Sequence, residues 1–98
     1  MECWSRNVAL VTERSAFVYL LRCGDDSLYC GWTFDMERRL GDHRAGRGAR
    51  YTRSRLPVSV AAVLELPDES SARREEARIK RLSRSEKLAL VGALTRGR

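Results

Sequence analysis

Residues 17–43, FVYLLRCGDDSLYCGWTFDMERRLGDH, constrain the fold more than any other stretch. Residues 17–22 are short and rich in β-branched and aromatic side chains, which predicts a strand. Gly24-Asp25-Asp26-Ser27 is turn chemistry, and residues 28–33 read as the returning strand. Strand alternation puts Phe17, Tyr19 and Leu21 on one face, and Val18 and Leu20 on the other. Tyr29, Gly31 and Thr33 share a face in the second strand, opposite Leu28, Cys30 and Trp32. Asp35 is a good N-cap for a helix over 36–45 that ends at Gly46. Met36, Leu40 and His43 recur at helical spacing, and Arg39 and His43 are neighbours one turn apart. The unit thus brings two phenols, an arginine and a histidine toward one surface. A lone histidine on an apolar face is usually a hydrogen-bonded core residue, but that reading does not predict the arginine beside it. Gly31 beside Tyr29 predicts a shelf where a ligand approaches the backbone; a β-bulge or a packing gap are the alternatives.

The rest of the chain supports this unit. Gly46-Arg47-Gly48-Ala49-Arg50 reads as a flexible basic loop, followed by Tyr51-Thr52-Arg53-Ser54-Arg55. Between Pro57 and Pro67, residues 58–66 read as a third strand. Ser70 or Ser71 is placed to cap a helix over 72–82, and Ser83-Arg84-Ser85-Glu86 is a capping box for a helix over 84–95. Leu88, Val91 and Leu94 give that helix a buried stripe. The expected fold is α+β: a small three-stranded, largely antiparallel sheet flanked by helices in the order ββαβαα. Residues 16–95 form one domain and residues 1–15 an N-terminal extension. Within the extension, Val8-Ala9-Leu10-Val11 is either a short strand or part of an arm with Trp4 tucked against the body. On the helix over 72–82, Glu75 falls between Ile79 and Leu82. Glu76 falls at the edge of the apolar stripe beside Ala72 and Ile79. Surface ion pairing, such as Glu76 with Lys80, is one reading of these acids; a single metal-binding carboxylate is the other.

Charge narrows the partner. The net charge is +6 over 98 residues. Residues 36–55 hold seven arginines against two acids, whereas residues 1–35 hold three basic and five acidic side chains. Arginine without lysine, interleaved with glycine, favours a polyanion that the guanidinium fork can grip. Three cysteines, Cys3, Cys23 and Cys30, lack zinc spacing and read as free thiols of a reducing compartment. With no apolar run long enough to span a bilayer and no signal pattern, a cytoplasmic location away from membranes is expected.

Taken in order, these motifs resemble the GIY-YIG nuclease superfamily, and its small bacterial UPF0213 group most closely. Phe17-Val18-Tyr19 stands where the GIY motif belongs, and Tyr29-Cys30-Gly31 where YIG belongs. Thr33 and Asp35-Met36-Glu37-Arg38-Arg39-Leu40 match the strand-to-helix step, with His43 following as in several branches. Residues 46–50 resemble the glycine-rich basic loop of small members, and Ala72-Arg73-Arg74-Glu75-Glu76 the helix with the metal-binding glutamate. The first motif lacks its glycine, the second has cysteine for isoleucine, and no asparagine follows Glu76.

The resemblance implies a structure-dependent endonuclease that hydrolyses phosphodiester bonds, DNA first among them, with one Mg²⁺ or Mn²⁺ ion. It implies catalytic roles for Tyr19, Tyr29, Arg39 and His43, and Glu76 as the metal ligand. Gly31, Thr33, Arg47, Arg50, Arg53 and Arg55 would hold the substrate. The missing asparagine is consistent with activity that is weak or needs a protein partner. A catalytically silent nucleic-acid-binding module of the same fold is the alternative. A domain whose basic helix docks an acidic protein is a third.

Overall fold

The computed structural model describes residues 14–96. Cys3, Trp4 and the strand considered at Val8–Val11 lie outside the described residues. Strand β1 (Ala16–Arg22) turns through residues 23–27 into β2 (Leu28–Thr33), and helix α1 (Met36–Arg44) follows. A one-turn helix α2 (Arg50–Arg53) leads into β3 (Ser59–Leu66), then α3 (Glu69–Lys80) and α4 (Arg84–Arg96). The sheet is antiparallel throughout, in the order β2-β1-β3. The expected α+β architecture is therefore the observed one, with α2 added.

Register explains how one short strand serves two cores. Leu20 lies opposite Cys30 and Ala62, and Val18 opposite Trp32 and Leu64. Their face packs with Ala72 and Ile79 of α3, and with the partly buried Leu90, Val91 and Leu94 of α4. Tyr19 lies opposite Gly31 and Val63 on the other face, and Leu21 opposite Tyr29. There Tyr19, Leu21, Cys23 and Val58 form a second cluster, with Met36, Leu40, Tyr29 and Val63 against it. The pairing of β1 with β3 shifts at Leu20/Leu21, which leaves Ala61 as an extra residue. Cys30 sits in the first core, and burial, then the charge of Glu76, pushes its thiol up to about 12. It is an inert apolar filler, not a reactive group.

Helix ends follow from local chemistry. Asp35 accepts the Arg38 N–H at 3.0 Å and starts α1. At the other end Gly46 takes φ +78°, its N–H reaches the His43 carbonyl at 3.1 Å, and the Arg47 N–H reaches the Asp42 carbonyl at 2.8 Å. This left-handed stop explains why the helix ends where a glycine stands. The capping box also forms: the Ser83 N–H donates to Glu86 Oε1 at 2.8 Å, and the Glu86 N–H to Ser83 Oγ at 3.2 Å.

Three expectations need correcting. Helix α3 starts at Glu69, not 72, because Asp68 caps it, accepting the Ser71 N–H at 2.7 Å. A carboxylate placed directly after Pro67 caps the chain as soon as the strand ends, so Ser70 and Ser71 fall inside the helix. Leu88 is exposed, and Leu90 takes its place in the α4 stripe. Arg50, expected at the end of the basic loop, instead opens one helical turn over residues 50–53.

Core and surface positions of the helices predict unequal costs. Ile79→Ala removes a side chain that is 1% exposed, and is expected to lower unfolding free energy by about 2–5 kcal/mol. Leu88→Ala is expected to change it by less than about 1 kcal/mol. Urea denaturation of both variants checks this; equal losses would contradict the assigned stripe.

Candidate active site

The phenol of Tyr19 is the point where α1 and the sheet meet. Its oxygen lies 2.9 Å from His43 Nε2 and accepts the Arg39 Nε–H at 3.3 Å. Arg39 and His43 reach it together because they are one turn apart on the same face of α1. Both Tyr19 and His43 are almost fully buried, at 1% and 0% exposure. Burial pushes the Tyr19 phenol above its ordinary value, although Arg39 pulls the other way. Burial also pushes His43 below its ordinary value, helped by Arg39 and opposed by Asp42. Near neutral pH the pair is therefore a phenol and a neutral imidazole.

Tyr29 stands beside this pair, its ring centroid 6.4 Å from that of Tyr19 and 5.5 Å from that of His43. Tyr29 is half-buried, and its hydroxyl makes no hydrogen bond among the described residues. Tyr51 stacks on Tyr29 at 5.8 Å, and the Arg55 guanidinium lies 3.9 Å over Tyr51.

Gly31 of the expected site and Gly48 of the basic loop both serve packing. A Cβ at Gly31 would lie 2.6 Å from the Tyr19 hydroxyl and 2.7 Å from Cζ. The shelf expected for a ligand is filled by Tyr19 itself. At Gly48 a Cβ would collide with the His43 ring, 2.7 Å from Cγ and closer still to Nδ1. The loop after α1 thus lies flat against the imidazole. Its last residue, Ala49, is followed by α2, where buried Thr52 sits 2.7 Å from His43 Nδ1.

The expected substrate arginines divide. Arg50 and Arg53 project from α2 into solvent and make no ion pair among the described residues. Arg47 is exposed, with Asp42 3.5 Å away. Arg55 departs from expectation: it is tied to Asp25 at 3.0 Å and donates to the Tyr51 carbonyl at 2.9 Å. It clamps α2 to the β1–β2 turn and presents no free fork. Thr33 is also engaged locally, since its hydroxyl accepts the Asp35 N–H at 3.1 Å at the strand-to-helix step.

Glu76 stands on α3, which packs against the sheet face opposite the Tyr19 cluster. Its carboxylate, 21% exposed, pairs with Lys80 at 3.2 Å, and Lys80 Nζ reaches to 6.0 Å from the Tyr29 ring centroid. Neighbouring Glu75 is occupied by Arg78 at 2.6 Å. Among the described residues no three His, Cys, Asp or Glu side chains cluster as a metal site. A cleft of about 420 Å³ opens on the other flank, lined by Arg14, Thr33, Asp35, Arg38, Arg39 and Asp42. Arg39 alone among the core pair's partners belongs to both the Tyr19 cluster and this cleft.

Sequence reasoning missed Thr52, Tyr51, Arg14 and Arg38. Only Tyr51 carried a signal, as an aromatic inside a run of arginines.

Two consequences are measurable. Gly48→Ala and Gly31→Ala each force a ring to move, and are expected to cost about 1–3 kcal/mol in chemical denaturation; an unchanged midpoint would contradict the close packing. His43 binds its proton less readily folded than unfolded. Its contribution is therefore complete above about 6.5, the ordinary value, and is lost as pH falls through the depressed folded value. Wild type is expected to lose stability relative to His43→Gln between pH 7 and pH 5, read from paired urea titrations. A constant difference would contradict the depressed value.

The comparisons agree with this architecture. A family model for the GIY-YIG catalytic domain matches residues 15–89. A UPF0213 protein of Streptococcus sanguinis is 47% identical over 79 residues, covering 81% of this chain and 91% of the relative. One from Oceanobacillus iheyensis is 51% identical over 79 residues, covering 81% and 92%. The solution NMR structure of a UPF0213 protein from Bacillus halodurans superposes with TM-score 0.54 at 42% identity, covering 81% of this chain and 84% of that one. With most of its length matched by the domain and by close relatives, the chain belongs to the GIY-YIG catalytic-domain family, among the UPF0213 proteins.

Proposed function

We propose that this chain is a metal-dependent endonuclease acting on nucleic-acid phosphodiesters, with DNA the first candidate. The observation that carries the proposal is the convergence of Arg39 and His43 on one buried phenol, with Tyr29 beside it and the arginines of α2 close by. The Arg39 guanidinium is half-buried, gives its Nε–H to the phenol and also lines the open cleft, which leaves the rest of its fork for an anion.

Each side chain has a role its chemistry can perform. Arg39, shared between the cleft and the cluster, would face the phosphate and balance the charge that grows on its oxygens during attack. Tyr19 is no standing phenolate, because burial holds its proton on. It can take a proton from the attacking water only as it passes its own to His43 Nε2, 2.9 Å away. The new water–phosphorus bond then forms as the bond to the 3′ oxygen breaks, and solvent protonates the leaving oxygen. The Tyr29 hydroxyl, with no hydrogen bond among the described residues, would orient phosphate or water. Arg47, Arg50 and Arg53 would hold the backbone without reading sequence.

Glu76 would hold a hard divalent cation of the Mg²⁺ or Mn²⁺ type, which can accept a single carboxylate and take phosphate and water at its other positions. Lys80 Nζ, 3.2 Å away, balances that carboxylate. Such an ion, when bound, would polarise the phosphate and stabilise the leaving oxygen.

Two observations favour the second reading, a binding module without catalysis. Tyr19 is 1% exposed, and Glu76 already has a cation partner. One experiment separates the readings: labelled duplex, branched, nicked and single-stranded DNA and RNA, with Mg²⁺ or Mn²⁺. Wild type is expected to cut. Arg39→Ala should fall about 10²- to 10³-fold and Tyr19→Phe about 10²- to 10⁴-fold, and Glu76→Ala should lose the metal response. Arg50→Ala with Arg53→Ala should weaken binding uniformly across sequences and flatten its salt dependence. Salt-sensitive binding with no cutting by wild type would favour the silent module, and cutting that persists in Glu76→Ala would place the chemistry elsewhere.

A further inference from the structure

Thr52 is fully buried on a four-residue helix that the sequence pattern does not announce. Its hydroxyl touches two groups: His43 Nδ1 at 2.7 Å and the Ala49 carbonyl at 3.1 Å. We propose that Thr52 is a positioning residue, which fixes the tautomer of His43 and thereby the direction in which the Tyr19 proton can move. The proposal rests on the nuclease reading for its catalytic meaning, but not for its structural content.

The argument is an accounting of buried donors. Four polar hydrogens lie along one line: Arg39 Nε–H, the Tyr19 hydroxyl, one ring N–H of neutral His43, and the Thr52 hydroxyl. Suppose the ring proton is on Nδ1. Arg39 then donates to the Tyr19 oxygen, Tyr19 to Nε2, Nδ1–H to Thr52 Oγ1, and Thr52 to the Ala49 carbonyl. Every donor has an acceptor. Suppose instead that the proton is on Nε2. Then Nε2–H and Arg39 Nε–H both point at the Tyr19 oxygen, and the buried phenolic hydrogen has no acceptor among the described residues. Buried donors are almost always satisfied, so the first arrangement holds. It leaves Nε2 as a lone-pair acceptor facing the phenol.

The carbonyl of Ala49, which also accepts the Arg53 N–H at 3.0 Å, gives the Thr52 hydrogen an acceptor away from the imidazole. A hydrogen donated there is unavailable to Nδ1. Gly48 lets this segment approach closely enough for the contact, since any side chain there would strike the imidazole. A hydroxyl is needed at position 52 because it must accept from Nδ1 and donate to Ala49 at once. Serine meets that requirement, while valine and alanine do not. In the reaction the electron pair on Nε2 takes up the Tyr19 proton, and Tyr19 takes the proton of the attacking water. Neither step needs a further reagent. The resulting imidazolium keeps its Nδ1–H bond to Thr52.

His43 is the only histidine in the chain, so its ring nitrogens are read without assignment in a long-range ¹H–¹⁵N spectrum of the full-length protein. At pH 7.5 wild type is expected to show a protonated Nδ1 and an unprotonated Nε2. Thr52→Val is expected to move the proton to Nε2 or to give a mixture, and Thr52→Ser to keep the wild-type pattern. Thr52→Ala serves in place of Thr52→Val should the latter not fold. In cleavage, Thr52→Val or Thr52→Ala should lower kcat about 10- to 100-fold, the usual cost of removing a group that orients a working imidazole. KM should stay unchanged and Thr52→Ser should restore the rate. An Nε2–H tautomer in wild type would overturn the proposal. So would an unaltered tautomer in both Thr52→Val and Thr52→Ala. If no substrate is cut by wild type, the nuclease reading fails, while the tautomer pattern across these variants still decides whether Thr52 sets the imidazole.

Discussion

The hydrogen bond between Tyr19 and His43 is the constraint on which the rest of the structure depends. It buries two polar side chains between a sheet and a helix, where an unpaired group costs about 1–3 kcal/mol and total stability is only about 5–15 kcal/mol. Each partner must therefore be satisfied, and the requirement spreads outward. The Tyr19 ring needs an empty position across the strand, which Gly31 provides. The His43 ring needs a flat backbone over it and an acceptor for its other nitrogen, which Gly48 and Thr52 provide. Helix α1 must then stop where it does, so that the loop can fold back.

The strand alternation, the Asp35 cap, the Gly46 stop and the Arg39–His43 face were all legible in the sequence. Each depends on neighbours within a turn or a pleat, so spacing alone reveals it. What could not be read depends on partners far along the chain. A glycine in a strand signals close approach, but not that the approaching group is a tyrosine of the adjacent strand rather than a ligand. A run of arginines signals charge, but not that Arg55 is held by an aspartate 30 residues earlier. Four residues of helix α2 are too few to show a 3.6-residue period, and one threonine among them carries no mark of its burial. The α3 start was displaced because two serines looked like the cap while a carboxylate just upstream was the stronger one.

The same division separates two kinds of charged residue in this domain. Arg50 and Arg53 stand free of ion pairs among the described residues and keep their charge for a partner. Arg55, Arg78 and Lys80 spend theirs on acids of the protein itself. A count of basic residues overstates the electrostatic footprint, since a neutralised guanidinium contributes little to a distant phosphate. The surface that remains for a polyanion is narrower than the composition implies, and it borders Tyr29.

The stack of Arg55 on Tyr51 on Tyr29, anchored at Asp25, has a consequence for how the site comes into being. Tyr51 and Arg55 meet within one turn, but they join Tyr29 and Asp25 of the first hairpin only when the long intervening stretch of chain has closed. Loop closure of that length is among the later gains of folding. A hairpin formed early, as short antiparallel pairs do, holds Tyr19 and Tyr29 without the histidine, the threonine or the arginines of α2. An incompletely folded chain of this kind has its motifs but not the line of hydrogen bonds from Tyr19 through His43 to Thr52, which exists only in the completed native state.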